Sequence, residues 1–99
     1  MINHVVLFKL KDYPEQEKKE VIAELTSALR GLKDKIKEAK YIEVGVNYEL
    51  DAKSYDLALI SHFESLDDLE IYRVHPEHQK VVKRIGETTV SRAAVDFVF

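Results

Sequence analysis

Residues 2–10 read INHVVLFKL, a β-strand pattern in which both faces carry apolar side chains. Val6 and Phe8 point to one side of such a strand, whereas Val5 and Leu7 point to the other. An antiparallel strand with one face in water alternates apolar and polar residues instead. The pattern therefore predicts a sheet that is covered on both of its faces.

A long helix follows this first strand. Apolar residues spaced by three or four predict it over residues 14–38, with one stripe formed by Val21, Leu25, Ala28, Leu32 and Ile36. Pro14 suits the first turn, where its missing N–H costs little, and Asp12 is the expected cap.

The rest of the chain continues with strand and helix patterns. Strands are predicted over residues 41–48, 55–63 and 90–99, with a polar connection over residues 49–54. Ser65 is the expected cap of a short helix that runs to Tyr72, because Asp68 follows it at capping-box spacing. Pro76 then begins a third helix that ends at residue 85 or 87.

The resulting order is β-α-β-β-α(α)-β, an α+β class of fold. Two βαβ halves with right-handed crossovers give the ferredoxin-like arrangement, a four-stranded antiparallel sheet with its helices on one face. The other face is then left open and apolar, with Val5, Leu7, Ala58, Ile60, Val95 and Phe97. An open apolar face predicts a partner. We expect a homodimer through this face, which closes a dimeric α+β barrel.

Composition limits the class of protein further. The 99 residues fit one domain, residues 1–99, and 15 Lys and Arg against 18 Asp and Glu give an interspersed net charge of −3. That balance argues against a nucleic-acid partner. No apolar run approaches the ~20 residues that span a bilayer, no export signal is visible, and cysteine is absent. We expect a cytoplasmic domain with neither membrane nor nucleic-acid partners.

Four segments resemble one known family. They read HVVLFKLK at residues 4–11, FES at 63–65, YRVHPEHQKVV at 72–82 and AVDF at 94–97. In this order they resemble the stress-responsive A/B barrel (Dabb) family along essentially the whole chain. The resemblance implies a homodimeric α+β barrel and, for many members, no assigned activity.

One branch of that family implies specific chemistry. Polyketide cyclases of the olivetolic acid cyclase type work by acid–base aldol chemistry without a metal. The resemblance implies catalytic roles for Tyr72 and His78 and substrate-binding roles for His4 and His75. Residues 23–27 lack the aromatic side chains that line the cyclase pocket, and the chain contains no Trp. The match therefore does not extend to the same substrate.

The chemistry of these side chains allows two interpretations. Burial favours the neutral, proton-accepting form of a histidine, so His78 suits a general base while Tyr72 polarises a substrate carbonyl. In the structural alternative, His75 braces the helix that begins at Pro76, and Tyr72 is a core residue. A cavity of roughly 300 Å³ or more favours the first. The second predicts a space filled by Leu25, Leu29, Leu32, Leu69 and Val82.

The sequence predicts no metal or cofactor. His75 and His78 are three residues apart, with His4 as a conceivable third zinc ligand, but Pro76 lies between the first two and no carboxylate is an obvious fourth ligand. Magnesium binding through carboxylates or carbonyls is left open. Haem-degrading barrels rely on a Trp that this chain lacks.

Two functions from different classes follow. One is a dimeric domain of unassigned function that binds a small molecule between its helices and sheet. The other is a cofactor-free cyclase or lyase that uses His78 and Tyr72 on a small carbonyl substrate.

Overall fold

The computed structural model describes residues 1–48 and 53–99. Most of the predicted connection at residues 49–54 therefore lies outside the described residues. Seven elements follow one another as β1 (Ile2–Leu10), α1 (Glu15–Lys35), β2 (Tyr41–Val46), β3 (Leu57–Phe63), α2 (Leu66–Val74), α3 (Pro76–Thr88) and β4 (Thr89–Val98).

The four strands form one antiparallel sheet in the order β2-β3-β1-β4. The first strand thus lies inside the sheet, between β3 and β4, which is why its two faces are both apolar. Its register pairs His4 with Ser61 on one side and with Asp96 on the other. The predicted ferredoxin-like fold is confirmed.

All three helices cover the same face of the sheet. Phe63 and Tyr72 are fully buried there, together with Leu25 and Leu32 from the stripe of α1 and with Leu29, which lies beside that stripe. This packing is the hydrophobic core, and the stripe of α1 supplies much of it because its residues recur every three or four positions.

Some helix ends differ from the sequence prediction. The first helix ends at Lys35 rather than residue 38, because the backbone of Ile36 is extended, with φ −127° and ψ 104°. Asp12 does not cap α1. Pro14 itself occupies the N-cap position, which has no side-chain hydrogen bond. Ser65 caps α2 as predicted, since its hydroxyl accepts the N–H of Asp68 at 3.1 Å.

A buried carboxylate that the sequence analysis did not single out ties the elements together. Asp56, just before β3, has no exposed surface, and it accepts the N–H of Leu10 at the end of β1 at 2.8 Å. Lys18 on α1 lies 3.1 Å from the other carboxylate oxygen. A buried charge is tolerated when it is paired in this way, so Asp56 joins α1 to two strand ends.

The second face of the sheet carries no helix. Its register places on this face all six residues predicted to share it, in the pairs Val5–Ile60, Leu7–Ala58 and Val5–Val95, with Phe97 beside Asn3. Leu7, Val95 and Phe97 are 37%, 62% and 44% exposed. We call this surface the open face.

The helices of the described segments are too short or too polar to cross a membrane.

Candidate functional site

A cavity of about 390 Å³ lies between α3 and the helix-covered face of the sheet. Its apolar wall consists of Val6, Phe8, Leu29, Leu59, Val82 and Ile85, and its polar wall of His4, Arg73, His78, Gln79, Thr89 and Arg92. Leu25, Leu32 and Leu69 do fill the interior, as the structural alternative predicts. The cavity persists beside them because Leu29 and Val82 line it without filling it.

His4 is held in the cavity wall by a carboxylate. It lies near the start of β1, directly across from Asp96 on β4, and its Nδ1 contacts an Asp96 carboxylate oxygen. The other oxygen of Asp96 accepts from the Arg73 guanidinium at 3.1 Å. Because a carboxylate accepts only, Nδ1 of His4 carries the hydrogen. In the neutral ring, Nε2 is then the acceptor.

His78 is held by the backbone break between α2 and α3. Its Nδ1 lies 3.0 Å from the Arg73 carbonyl oxygen, and because that oxygen only accepts, Nδ1 is the donor. Burial lowers the pKa of His78, as do the nearby charges of His4, Arg92 and Arg73, while the hydrogen bond to the carbonyl opposes the shift. The neutral ring of His78 therefore keeps Nε2 free to accept a proton.

Tyr72 contacts His78 but does not line the cavity. The two ring centroids are 4.3 Å apart, and the tyrosine has no exposed surface. Burial raises the pKa of Tyr72 to about 12. Within residues 1–48 and 53–99 its hydroxyl has no hydrogen-bond partner. The structure therefore brings the predicted pair together, with the tyrosine ring packed against His78. Its catalytic role stays a prediction.

His75 lies at the N-terminus of α3. Its Nδ1 accepts the N–H of Glu77 at 3.1 Å, so the ring caps the helix that Pro76 begins. It is absent from the cavity wall. This is the placement that the structural alternative predicts, and a role of His75 in binding a substrate stays a prediction.

Three residues at the site, Asp96, Arg73 and Arg92, were not predicted from the sequence. Asp96 is an acidic residue in an otherwise apolar strand segment, which is a signal, but its partner depends on the register between β1 and β4. Arg92 faces the cavity for the same reason, because it pairs with Phe8 across the sheet.

The part of the chain that the structure describes contains no cluster of side chains suited to bind a metal ion. No three His, Asp or Glu side chains converge there in a way that could hold an ion.

A four-stranded antiparallel sheet with its helices on one face places the chain among the ferredoxin-like α+β domains. The chain belongs to the stress-responsive A/B barrel domain family, whose model matches residues 2–99. An uncharacterised protein of Streptomyces coelicolor is 35% identical over 80% of this chain and 80% of its own length.

Several solved structures are similar over 99% of this chain. A dimeric protein of unknown function with a ferredoxin-like fold from Bacteroides fragilis is 41% identical, with a TM-score of 0.89 and 95% of its chain covered. Hydroxynitrile lyase from Passiflora edulis is 17% identical, with a TM-score of 0.83 and 92% covered, and shows that the fold is shared.

Proposed function

We propose that the protein is a cytoplasmic homodimer in which each protomer binds a small organic molecule in its helix–sheet cavity. The observation that carries the proposal is the 390 Å³ cavity with two oriented imidazoles in its wall. The cytoplasmic location rests on the sequence alone.

The open face supports the dimer. Its residues Leu7, Val95 and Phe97 would otherwise remain in contact with water. Burying apolar area contributes about 25 cal/mol per Å², so an interface above ~1,000 Å² favours pairing strongly. The similar protein from Bacteroides fragilis is described as dimeric. Light scattering at micromolar concentration should therefore return twice the mass of one chain, and a stable monomer would contradict the dimer.

The composition of the cavity wall supports small-molecule binding. Its volume lies within the 300–1,000 Å³ typical of ligand pockets, and a largely apolar wall with a few convergent polar groups is the usual chemistry of such sites. Imidazole nitrogens that accept a proton suit a ligand with a hydroxyl or an acidic C–H. Small phenolic and carbonyl compounds combine such groups with an apolar body.

A second candidate function is cofactor-free acid–base catalysis, as in a cyclase or lyase. The specific observation in its favour is that both His4 and His78 have Nδ1 occupied as a donor, so that in the neutral form of each ring Nε2 is the acceptor. In a cyclase, one imidazole would remove a proton alpha to a carbonyl, and the carbanion would form a C–C bond to a second carbonyl carbon of the substrate as the π bond of that carbonyl breaks. The imidazolium would then protonate the alkoxide, and a lyase would run these steps in reverse. A protein of this fold is named a hydroxynitrile lyase, which makes the fold compatible with such chemistry.

Two glycines allow a matched test of ligand binding. Gly86 lines the cavity and Gly31 does not, yet a Cβ added at either position meets no atom within 4 Å. Both lie in helices, so both substitutions should raise helix propensity similarly. We expect Gly86→Leu to fill the mouth of the cavity and abolish binding of phenolic and carbonyl compounds in calorimetric titrations. Gly31→Leu should bind them as the wild type does.

The result that contradicts ligand binding in this cavity is equal affinity in both glycine variants. Failure of every compound to bind the wild type would likewise contradict the proposed function.

A further inference from the structure

The polar groups of the cavity wall differ in whether they already form hydrogen bonds or ion pairs within the protein. Arg73 is paired with Asp96, at 3.1 Å, and with Glu70 at 3.7 Å. The Gln79 amide donates to the Arg73 carbonyl oxygen at 2.6 Å, and the Thr89 hydroxyl donates to the Ile85 carbonyl oxygen at 2.8 Å. Each of these groups already has at least one partner within the fold.

Arg92 is different. Arg92 lines the cavity and is exposed to solvent, and among residues 1–48 and 53–99 no carboxylate lies within 4 Å of its guanidinium and no hydrogen bond engages it. The side chain belongs to β4 and faces the helices, directly across the sheet from Phe8. A permanent positive charge therefore stands beside an apolar wall without a counter-charge.

The charge of the cavity is one-sided as well. No Asp or Glu of the described residues lines the cavity, whereas Arg73 and Arg92 do. Asp96 forms an ion pair with Arg73 but is not itself a lining residue. The charges of Arg92 and Arg73 both help to lower the pKa of His78, which places them close enough for their field to act inside the cavity. A guanidinium offers a planar fork of N–H donors that matches the two oxygens of a carboxylate.

We propose that the ligand of this cavity is a small carboxylate, with its apolar body against Phe8 and Leu59 and its carboxylate on the Arg92 guanidinium. This inference rests on the proposed ligand-binding function and specifies its substrate class. The nitrogens of His4 and His78 then face the ligand body rather than its anionic end, where a hydroxyl or a carbonyl-activated C–H would meet them.

The test uses matched pairs of probes that differ only in charge. Benzoate is compared with benzamide, and phenylacetate with phenylacetamide, by calorimetric titration of the full-length protein at pH 7.5. We expect each carboxylate to bind the wild type at least tenfold more tightly than its amide. Arg92→Gln should raise the dissociation constant of the carboxylates about tenfold and leave that of the amides unchanged.

Two further variants separate specific recognition from general charge. Lys83→Gln removes one positive charge from the exposed surface of α3, outside the cavity wall, and should leave both constants unchanged. Arg92→Lys keeps the charge without the planar fork, so it should recover only part of the carboxylate preference.

The possible failures are distinguishable. Equal affinity of the wild type for carboxylates and amides, or an Arg92→Gln variant that keeps the preference, would overturn the carboxylate inference and leave ligand binding intact. No binding by either member of any pair would overturn the proposed function together with the inference.

Discussion

The two faces of this sheet are built from alternate residues of the same strands, yet one face is buried under the helices and the other is exposed. On β1, Val6 and Phe8 are 2% and 3% exposed beneath the helices, whereas Leu7 between them is 37% exposed on the open face. The helix-covered face supplies the core and the cavity within one chain. The open face offers apolar area that only a second molecule can cover. In the proposed homodimer, one strand pattern thus specifies folding on one side of the sheet and association on the other.

The largest effect is expected from a charge on the open face. Leu7→Asp would place an unpaired carboxylate in the apolar interface of the proposed dimer, where desolvation without a partner is costly. We expect dissociation, and loss of folded structure because a chain of this size has a modest core. Light scattering and circular dichroism measure the two consequences.

The control for this substitution is Lys19→Asp on the exposed side of α1, where Lys19 is 62% exposed. It should leave the assembly and the melting temperature nearly unchanged. Equal effects of the two substitutions would mean that the open face is not an interface.

A substitution that removes core packing should lower the stability of the fold without weakening the dimer. Leu25 is 1% exposed in the stripe of α1, so Leu25→Ala should lower the free energy of unfolding by about 2–5 kcal/mol. The dimer should persist, because the open face is untouched. Ile60→Ala, on the open face, should weaken the dimer instead. Urea titrations and equilibrium sedimentation distinguish the two, and a core variant that dissociates before it unfolds would contradict the division of roles.

The helices and strands, and two of the site histidines, can be predicted from the sequence, because they depend on patterns within short segments. The apolar pattern of residues 2–10 and the stripe of α1 fix the elements, because periods of two and about 3.6 are properties of the strand and the helix themselves. His4 and His78 can be chosen as site residues from the segments that resemble the family, and both line the cavity.

The rest depends on register and on packing. Asp96 becomes the partner of His4, and Arg92 a cavity residue, only because β4 pairs with β1 in one particular alignment. The position of Tyr72 under the His78 ring depends on how α2 and α3 meet at the proline. Local sequence patterns carry neither kind of information, so they leave open whether the tyrosine is a site residue or a core residue.

The pH dependence of stability should report on the helix-covered face. Burial lowers the pKa of His78, so below about pH 6.5 the unfolded chain takes up a proton that the folded chain still rejects. Stability is therefore full above that pH and falls as the pH drops toward the lowered pKa. His78→Gln should make this fall shallower in urea titrations at pH 7.5 and 5.5, at one fixed protein concentration. An unchanged slope would place His78 in a solvent-like environment.

The smallest expected change in stability comes from removing one of two tyrosine hydroxyls. That of Tyr72 is buried with no partner in the described chain, so Tyr72→Phe should leave stability unchanged or raise it by up to about 1 kcal/mol. The hydroxyl of Tyr55 lies 3.0 Å from that of Ser91, so Tyr55→Phe should lower stability by about 0.5–1 kcal/mol. Melting temperatures show the two signs. A clearly lower melting temperature for Tyr72→Phe would mean that the Tyr72 hydroxyl has a hydrogen-bond partner in the folded protein.

Our claim that a ligand binds beneath the helices and not on the open face can be tested by NMR of the four histidine rings. His4 and His78 line the cavity, whereas His62 stacks on Tyr41 at 4.6 Å on the open face. A saturating carboxylate or phenolic compound should shift the ring signals of His4 and His78 and leave His62 unmoved. Shifts at His62, or none at either cavity histidine while the compound binds, would contradict the claim.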